Sequence, residues 1–235
     1  MTFDFTGKRI VVAGGSRGIG RSIALGFAEA GAAVSICARG AESLAATCGE
    51  LAKSGGTAHA APCDLADGAA IERYIAEAAS ALGGIDVLVN NASGFGASDD
   101  EAGWAASVAV DMMAIVRASQ AAQPSLETAA AGKPGSASIV NISSISAYRP
   151  SVRTPPYGAI KAAVIHYTTS QAATLAGKNI RVNCVAPGSV EFPGGTWEKR
   201  RTENPDLYNR VFASIPFGRL GRPEEIANVV LFLAS

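Results

Sequence analysis

Cysteine is scarce in this chain, histidine scarcer, and neither is patterned for a metal. There are four cysteines, Cys37, Cys48, Cys63 and Cys184, and two histidines, His59 and His166. No Cys-x-x-Cys pair occurs, so the common zinc spacings are excluded and no metal is expected. Cys37, Cys63 and Cys184 sit in or beside apolar runs and read as buried free thiols, which suits a reducing, cytoplasmic compartment. Net charge is lacking too: 20 Lys and Arg balance 20 Asp and Glu. No field of one sign therefore draws the chain to nucleic acid or to an anionic membrane. Long apolar runs are missing; all fall well short of the roughly 20 residues of a membrane span. Residues 1–9 carry charges and a glycine rather than the apolar core of a signal peptide. Against 17% charged residues stand 48% hydrophobic ones. That is a globular composition with material for one sizeable α/β core.

What is present is a regular alternation. Short runs, most of them rich in Val and Ile, predict strands at 9–13, 33–38, 58–62, 86–90, 138–142 and 181–186. Most are apolar throughout, as expected of strands covered on both faces. Helical patterns fall near 18–30, 42–54, 68–82, 101–130, 156–176 and 223–234. This order predicts an α/β fold: a single Rossmann-type, doubly wound parallel sheet with helices on both faces. Right-handed crossovers put the first strand centrally and a ligand crevice at the strands' carboxyl ends. Residues 128–135 read as a small-residue loop after the long helix. Residues 188–216 lack sheet character and contain Pro193, Gly194, Gly195 and Pro205. They are expected to form a substrate loop or lid, with an ordinary surface excursion as the alternative.

The first strand runs into Ala13-Gly14-Gly15-Ser16-Arg17-Gly18-Ile19-Gly20, ahead of a helical pattern. Glycines permit the tight turn and close backbone approach that a pyrophosphate needs, and the helix N-terminus supplies N–H donors. The spacing is Gly-x-x-x-Gly-x-Gly, not the Gly-x-Gly-x-x-Gly of ordinary dinucleotide folds. At the end of the second strand, a carboxylate would accept from the ribose 2′-hydroxyl of NAD. That position is Ala38, followed by Arg39. With Arg17 in the glycine loop, two guanidiniums and no carboxylate suit a 2′-phosphate, which favours NADP(H) over NAD(H). Two solvated surface arginines are the plainer alternative.

Tyr157-Gly158-Ala159-Ile160-Lys161 sets a phenol and an ammonium one turn apart on one helix face. A cation beside a phenol favours its ionised form, so Tyr157 is expected to exchange a proton with a substrate oxygen. Alone, the pair is a weak signal and would be read as a surface pair. Ser143-Ser144 ends the fifth strand, and Ser144 lies 13 residues before Tyr157. A hydroxyl there can hold a substrate oxygen against the phenol. Ser143 and Ser146 compete for that role.

Together these motifs resemble the short-chain dehydrogenase/reductase family over residues 8–234, with similarity to 3-oxoacyl-carrier-protein reductase-like members. The resemblance implies an enzyme that transfers a hydride between NADP(H) and a carbonyl or secondary alcohol, with Ser144, Tyr157 and Lys161 catalytic. It implies cofactor contacts from Gly14, Ser16, Arg17, Gly18, Ile19 and Gly20, and from Arg39 beyond the second strand. Asp64 and Leu65 would meet the adenine, and Asn91 and Ala92 would lie under the cofactor. Tyr157 and Lys161 would reach the nicotinamide ribose, and Pro187, Gly188 and Val190 the carboxamide. For Asp64, a cap on the following helix stays open as the other reading. Residues 216–219 and 221–227 match a family stretch that opens the last helix.

The chain departs from the family pattern at several positions. Ala13 stands where Thr is usual, Ser93 where Gly is usual in Asn-Asn-Ala-Gly, and Phe192 where a Thr follows Val190. Asp111 occupies the fourth catalytic position, an Asn in the family. A carboxylate there is expected to stabilise the Lys161 ammonium, partly offset its effect on Tyr157, and alter rate or pH dependence. Simple pairing with a neighbour is the alternative. The family also implies one domain over 1–235 with 188–216 as substrate loop. It implies a small-molecule carbonyl or alcohol partner and a homotetramer or homodimer. Family chains usually continue into one more strand beyond Ser235; the chain is either genuinely short or cut there, and a missing edge strand would expose backbone groups and weaken tetramer contacts. The competing function is a catalytically impaired NADP(H)-binding sensor or scaffold, motivated by Asp111 and Phe192.

Overall fold

The computed structural model describes residues 3–133 and 135–235. Its strands are β1 Arg9–Ala13, β2 Ala33–Ala38, β3 Ala58–Pro62, β4 Val87–Asn90, β5 Ala137–Ile142 and β6 Ile180–Val185. They form one sheet in the order β3-β2-β1-β4-β5-β6, parallel at every pairing. The expected doubly wound α/β sheet is therefore the observed fold. The first three strands have their expected bounds, the next two differ by one residue at one end, and β6 is shifted by one residue at both ends.

The helices are α1 Gly18–Glu29, α2 Ala41–Ala52, α3 Gly68–Leu82, α4 Glu101–Ala106, α5 Ala114–Gly132, α6 Pro155–Ala176, α7 Thr196–Glu203, α8 Pro205–Ala213 and α9 Pro223–Ala234. Alternation within β1 explains how two cores arise. Ile10 and Val12 join Ile23 and Phe27 of α1, Leu51 of α2 and Val230 of α9 on one face. Val11 and Ala13 join Ile71 and Ile75 of α3 and Leu126 of α5 on the other. Because both faces are covered, polar alternation is absent from the strand. Each such fully buried aliphatic or Phe side chain contributes roughly 1.5–3 kcal/mol. β1 lies between β2 and β4, so the winding reverses at its carboxyl end, and a crevice opens there.

Three expectations need correction. The long helix over 101–130 is broken by a π-helical stretch, Ser107–Met113, between α4 and α5. Hydrophobic periodicity does not register one added residue per turn. Residues 128–132 are helical rather than loop, because the Ala-rich end of α5 runs on to Gly132; Pro134 lies outside the described residues. The stretch 188–216 carries α7 and α8, and Val190 forms a parallel bridge with Gly221. The polar α7 buries no residue and left no apolar stripe; α8 carries one, Leu207, Tyr208, Val211 and Phe212, but it is short and buries only Leu207. Among the described residues β6 pairs only with β5.

Candidate active site

The glycine loop is fixed by collisions that any side chain would create. Gly14 takes φ +84°, and a Cβ on it would lie 2.9 Å from the Ala92 Cα. A Cβ on Gly20 would overlap the Gly14 carbonyl oxygen and the Asn91 Nδ2. The amides of Gly14 and Gly15 both donate to the Cys37 oxygen at 3.1 Å. Asn91 Nδ2 donates to the Gly14 oxygen at 2.8 Å, and its backbone N–H donates to the Ala13 oxygen. The end of β4 thus grips the loop after β1. The first turn of α1 holds no acidic residue, and Arg17 at its N-cap makes no side-chain cap bond. The N–H groups there keep no internal anion, which fits a pyrophosphate. The Ser16 carbonyl accepts from Thr47 Oγ1 at 3.0 Å. Arg17 and Arg39 are both exposed, and Ala38 leaves no carboxylate between them.

Beyond the third strand, Asp64 is exposed and its Oδ1 accepts from the Ala66 amide at 3.0 Å. Asp67, not Asp64, caps α3, accepting from the Ala69 amide. The capping alternative for Asp64 is thereby removed. Leu65 is buried in the core on the α3 face, so only its backbone is available to a ligand.

On the other side of the crevice lies a cavity of about 560 Å³. Ser144, Tyr157, Lys161, Ile19, Asn91, Pro187, Gly188 and Val190 all line it. Lys161 is buried, and its Nζ donates to the Ile142 carbonyl at 2.8 Å. That Nζ also stands 5.6 Å from the Tyr157 ring centroid. Asp111, in the π-helical stretch, is fully buried, and its Oδ1 lies 3.1 Å from Lys161 Nζ. The contact is an ion pair off the hydrogen-bond direction, since this oxygen has no aligned donor. Asp111 Oδ2 accepts from the Gly94 amide at 3.2 Å. A buried charge needs its partner, and here each ion has one.

The three candidate serines differ in partner, and Ser146 lines the cavity as well. Ser143 Oγ donates to the Lys161 carbonyl at 2.7 Å, so its proton is committed. Ser144 Oγ only accepts, from the Ser146 amide at 3.2 Å, and keeps its proton for the cavity. Tyr157 is half-buried on the cavity wall, with the Phe95 ring 4.9 Å from its own.

Over residues 13–235 the chain matches the family model described as enoyl-(acyl carrier protein) reductase. The chain belongs to the short-chain dehydrogenase/reductase family. Isoepoxydon dehydrogenase of Penicillium expansum is 35% identical to it over all of this chain and 90% of the relative. The Pseudomonas aeruginosa RhlG/NADP active-site complex superposes with a TM-score of 0.89 at 35% identity, covering 100% of this chain and 91% of that one. A short-chain dehydrogenase from Burkholderia cenocepacia in complex with NADP superposes with a TM-score of 0.87 at 33% identity, covering 98% and 91%.

Within this family frame, several residues of the site escaped the sequence. Phe95 adopts φ +46°, a strained setting for a non-glycine residue, and packs on Tyr157. Nothing in its local sequence signals that. Phe192, which the sequence did single out, lines the cavity and lies over the glycine loop: a Cβ on Gly18 would come within 2.5 Å of its ring. Arg149, Arg153, Arg200 and Arg210 also line the cavity. A buried amide network, Asn90 to Asn141 at 2.8 Å and Asn141 to Thr168 at 3.0 Å, ties β4, β5 and α6 beneath the site. Of the thiols, Cys184 is only half-buried, against expectation, because its strand lies at the described edge of the sheet.

Proposed function

We propose that the protein is an NADP(H)-dependent oxidoreductase acting on a carbonyl or secondary alcohol, with Tyr157 as general acid and base. The convergence of Tyr157, Ser144 and Lys161 on one cavity beside the glycine loop carries this reading. In it, Gly14, Ser16, Gly18, Ile19 and Gly20 hold the pyrophosphate, and Arg17 and Arg39 the 2′-phosphate. Asp64 and the Leu65 backbone meet the adenine. Asn91 and Ala92 support the cofactor from below, and Pro187, Gly188 and Val190 border its nicotinamide end. The NADP complexes among the structural relatives support the choice of cofactor. When bound, the cofactor supplies or accepts the hydride.

The chain's own residues handle the proton. In reduction Tyr157 gives its hydroxyl proton to the substrate oxygen, and in oxidation it takes one back. Ser144 donates a hydrogen bond to the same oxygen and holds it in place. Lys161 brings a positive charge to the phenol, and Asp111 fixes that ammonium while offsetting part of its field. Residues 1–235 act as one cofactor-binding unit, and 188–216 cover the substrate side.

The test is purified protein with NADPH and a broad panel of ketones. At least one ketone should produce a loss of NADPH absorbance. Tight NADPH binding with no such loss on any ketone supports the second reading, an NADP(H) sensor. Asp111, in the family's Asn position and 3.1 Å from the Lys161 ammonium, is the observation that favours it.

A further inference from the structure

Every charged residue lining the cavity is basic: Arg149, Arg153, Lys161, Arg200 and Arg210. Lys161 is neutralised by Asp111. Among the described residues, the four arginines have no ion-pair partner. Elsewhere the chain supplies carboxylates to some of its arginines. Arg9 pairs with Asp86 at 2.7 Å and Arg219 with Glu225 at 2.5 Å. Arg201, the neighbour of Arg200, pairs with Glu191 at 3.5 Å. Among the described residues other arginines, Arg73 and Arg117 among them, have no carboxylate either; what is particular to this wall is that four such arginines gather on one cavity.

Arg200 is half-buried and stacked on Trp197, with its guanidinium carbon 5.1 Å from the ring centroid. Burial, and then the neighbouring Arg153 charge, lower this guanidinium from its ordinary value. Like charges gathered without a partner oppose folding and concentrate a positive field in the cleft. Planar forks suit a carboxylate or phosphate, which they bind with two parallel hydrogen bonds. The four residues come from the turn before α6 and from α7 and α8. Arg17 and Arg39, at the far end of the glycine loop, are not part of the cavity wall.

We propose that the substrate carries an oxyanionic group, a carboxylate or phosphate, which Arg153 and Arg200 bind with help from Arg149 and Arg210. The proposal rests on the oxidoreductase reading and names the substrate class for that site. Trp197, Val152 and Val211 on the same wall suit an apolar body between the anion and the reacting carbon.

The experiment uses a graded series of oxo acids, each beside its methyl ester, and oxo phosphates beside the matching alcohols. Turnover is read as NADPH oxidation, and binding to the NADPH-loaded protein is read by calorimetry. For at least one pair the anion should be preferred by about tenfold or more, as expected for a charged hydrogen bond. The double variant Arg153→Gln/Arg200→Gln should reduce that preference by about tenfold, with NADPH affinity measured alongside as a check on folding. Which anion series shows the preference separates carboxylate from phosphate. Turnover of anion and neutral partner alike, in every pair, overturns this inference and leaves the reductase reading standing. Anion-selective binding without turnover upholds the inference and overturns the reductase reading. No preference in either readout, or a preference unchanged in the double variant, overturns the inference.

Discussion

On the β1–β4 side of the crevice the walls are backbone; on the β5–β6 side they are side chains. The glycine loop is held by carbonyl and amide contacts and by one Asn91 amide, and a Cβ at Gly14 or Gly20 would strike neighbouring atoms. The opposite wall presents a phenol, a hydroxyl, a buried ammonium and four arginines. A backbone wall can serve only one kind of shape. A side-chain wall can be re-lettered without disturbing the sheet. In the proposed reading, cofactor recognition belongs to the backbone half and substrate choice to the side-chain half.

Breaking the comparison where the halves meet has the largest expected effect. Asp111→Ala leaves Lys161 buried without its countercharge and should cost about 3–5 kcal/mol of stability, read as a lowered urea midpoint. A loss under about 1 kcal/mol would mean that the pair behaves like an exposed one. Next comes the backbone wall itself. Gly20→Ala should weaken NADPH binding by about a hundredfold, or roughly 2.7 kcal/mol. Gly177→Ala, where a Cβ would meet nothing, serves as the control. Equal NADPH affinity in both variants would contradict the steric account.

Smaller effects sharpen the boundary. Arg39→Ala should weaken NADPH about tenfold more than NADH if, as proposed, its guanidinium serves only the 2′-phosphate. Equal losses for the two cofactors would remove that assignment. Phe192→Thr clears the ring from Gly18 and should tighten NADPH a few-fold. Weaker binding would instead make the ring part of the cofactor's own wall.

The same division explains what the sequence could reveal. The strands were legible because continuous Val and Ile runs have few other uses, and the glycine loop because its spacing follows from steric necessity. Tyr157 and Lys161 were legible as a pair from helical spacing, and Ser144 as their companion from the resemblance to the family. Asp111 drew notice only as a departure from a family pattern, and its burial against Lys161 needed coordinates. The π-helical stretch, the strained Phe95 and the arginine-lined wall had no periodic signature. Arg149, Arg153, Arg200 and Arg210 come from separate segments, and only tertiary packing brings them to one cavity. α7 was missed because it carries no hydrophobic stripe, and α8 because its stripe spans only two turns inside a stretch read as loop.

The most direct test compares Tyr157→Phe with the wild-type protein in two assays, NADPH affinity by calorimetry and ketone turnover by NADPH absorbance. Removing the one proton donor should lower turnover by about 10²–10⁴-fold while NADPH affinity stays within a few-fold. Turnover that survives the substitution would contradict the assignment of Tyr157 as the acid and base.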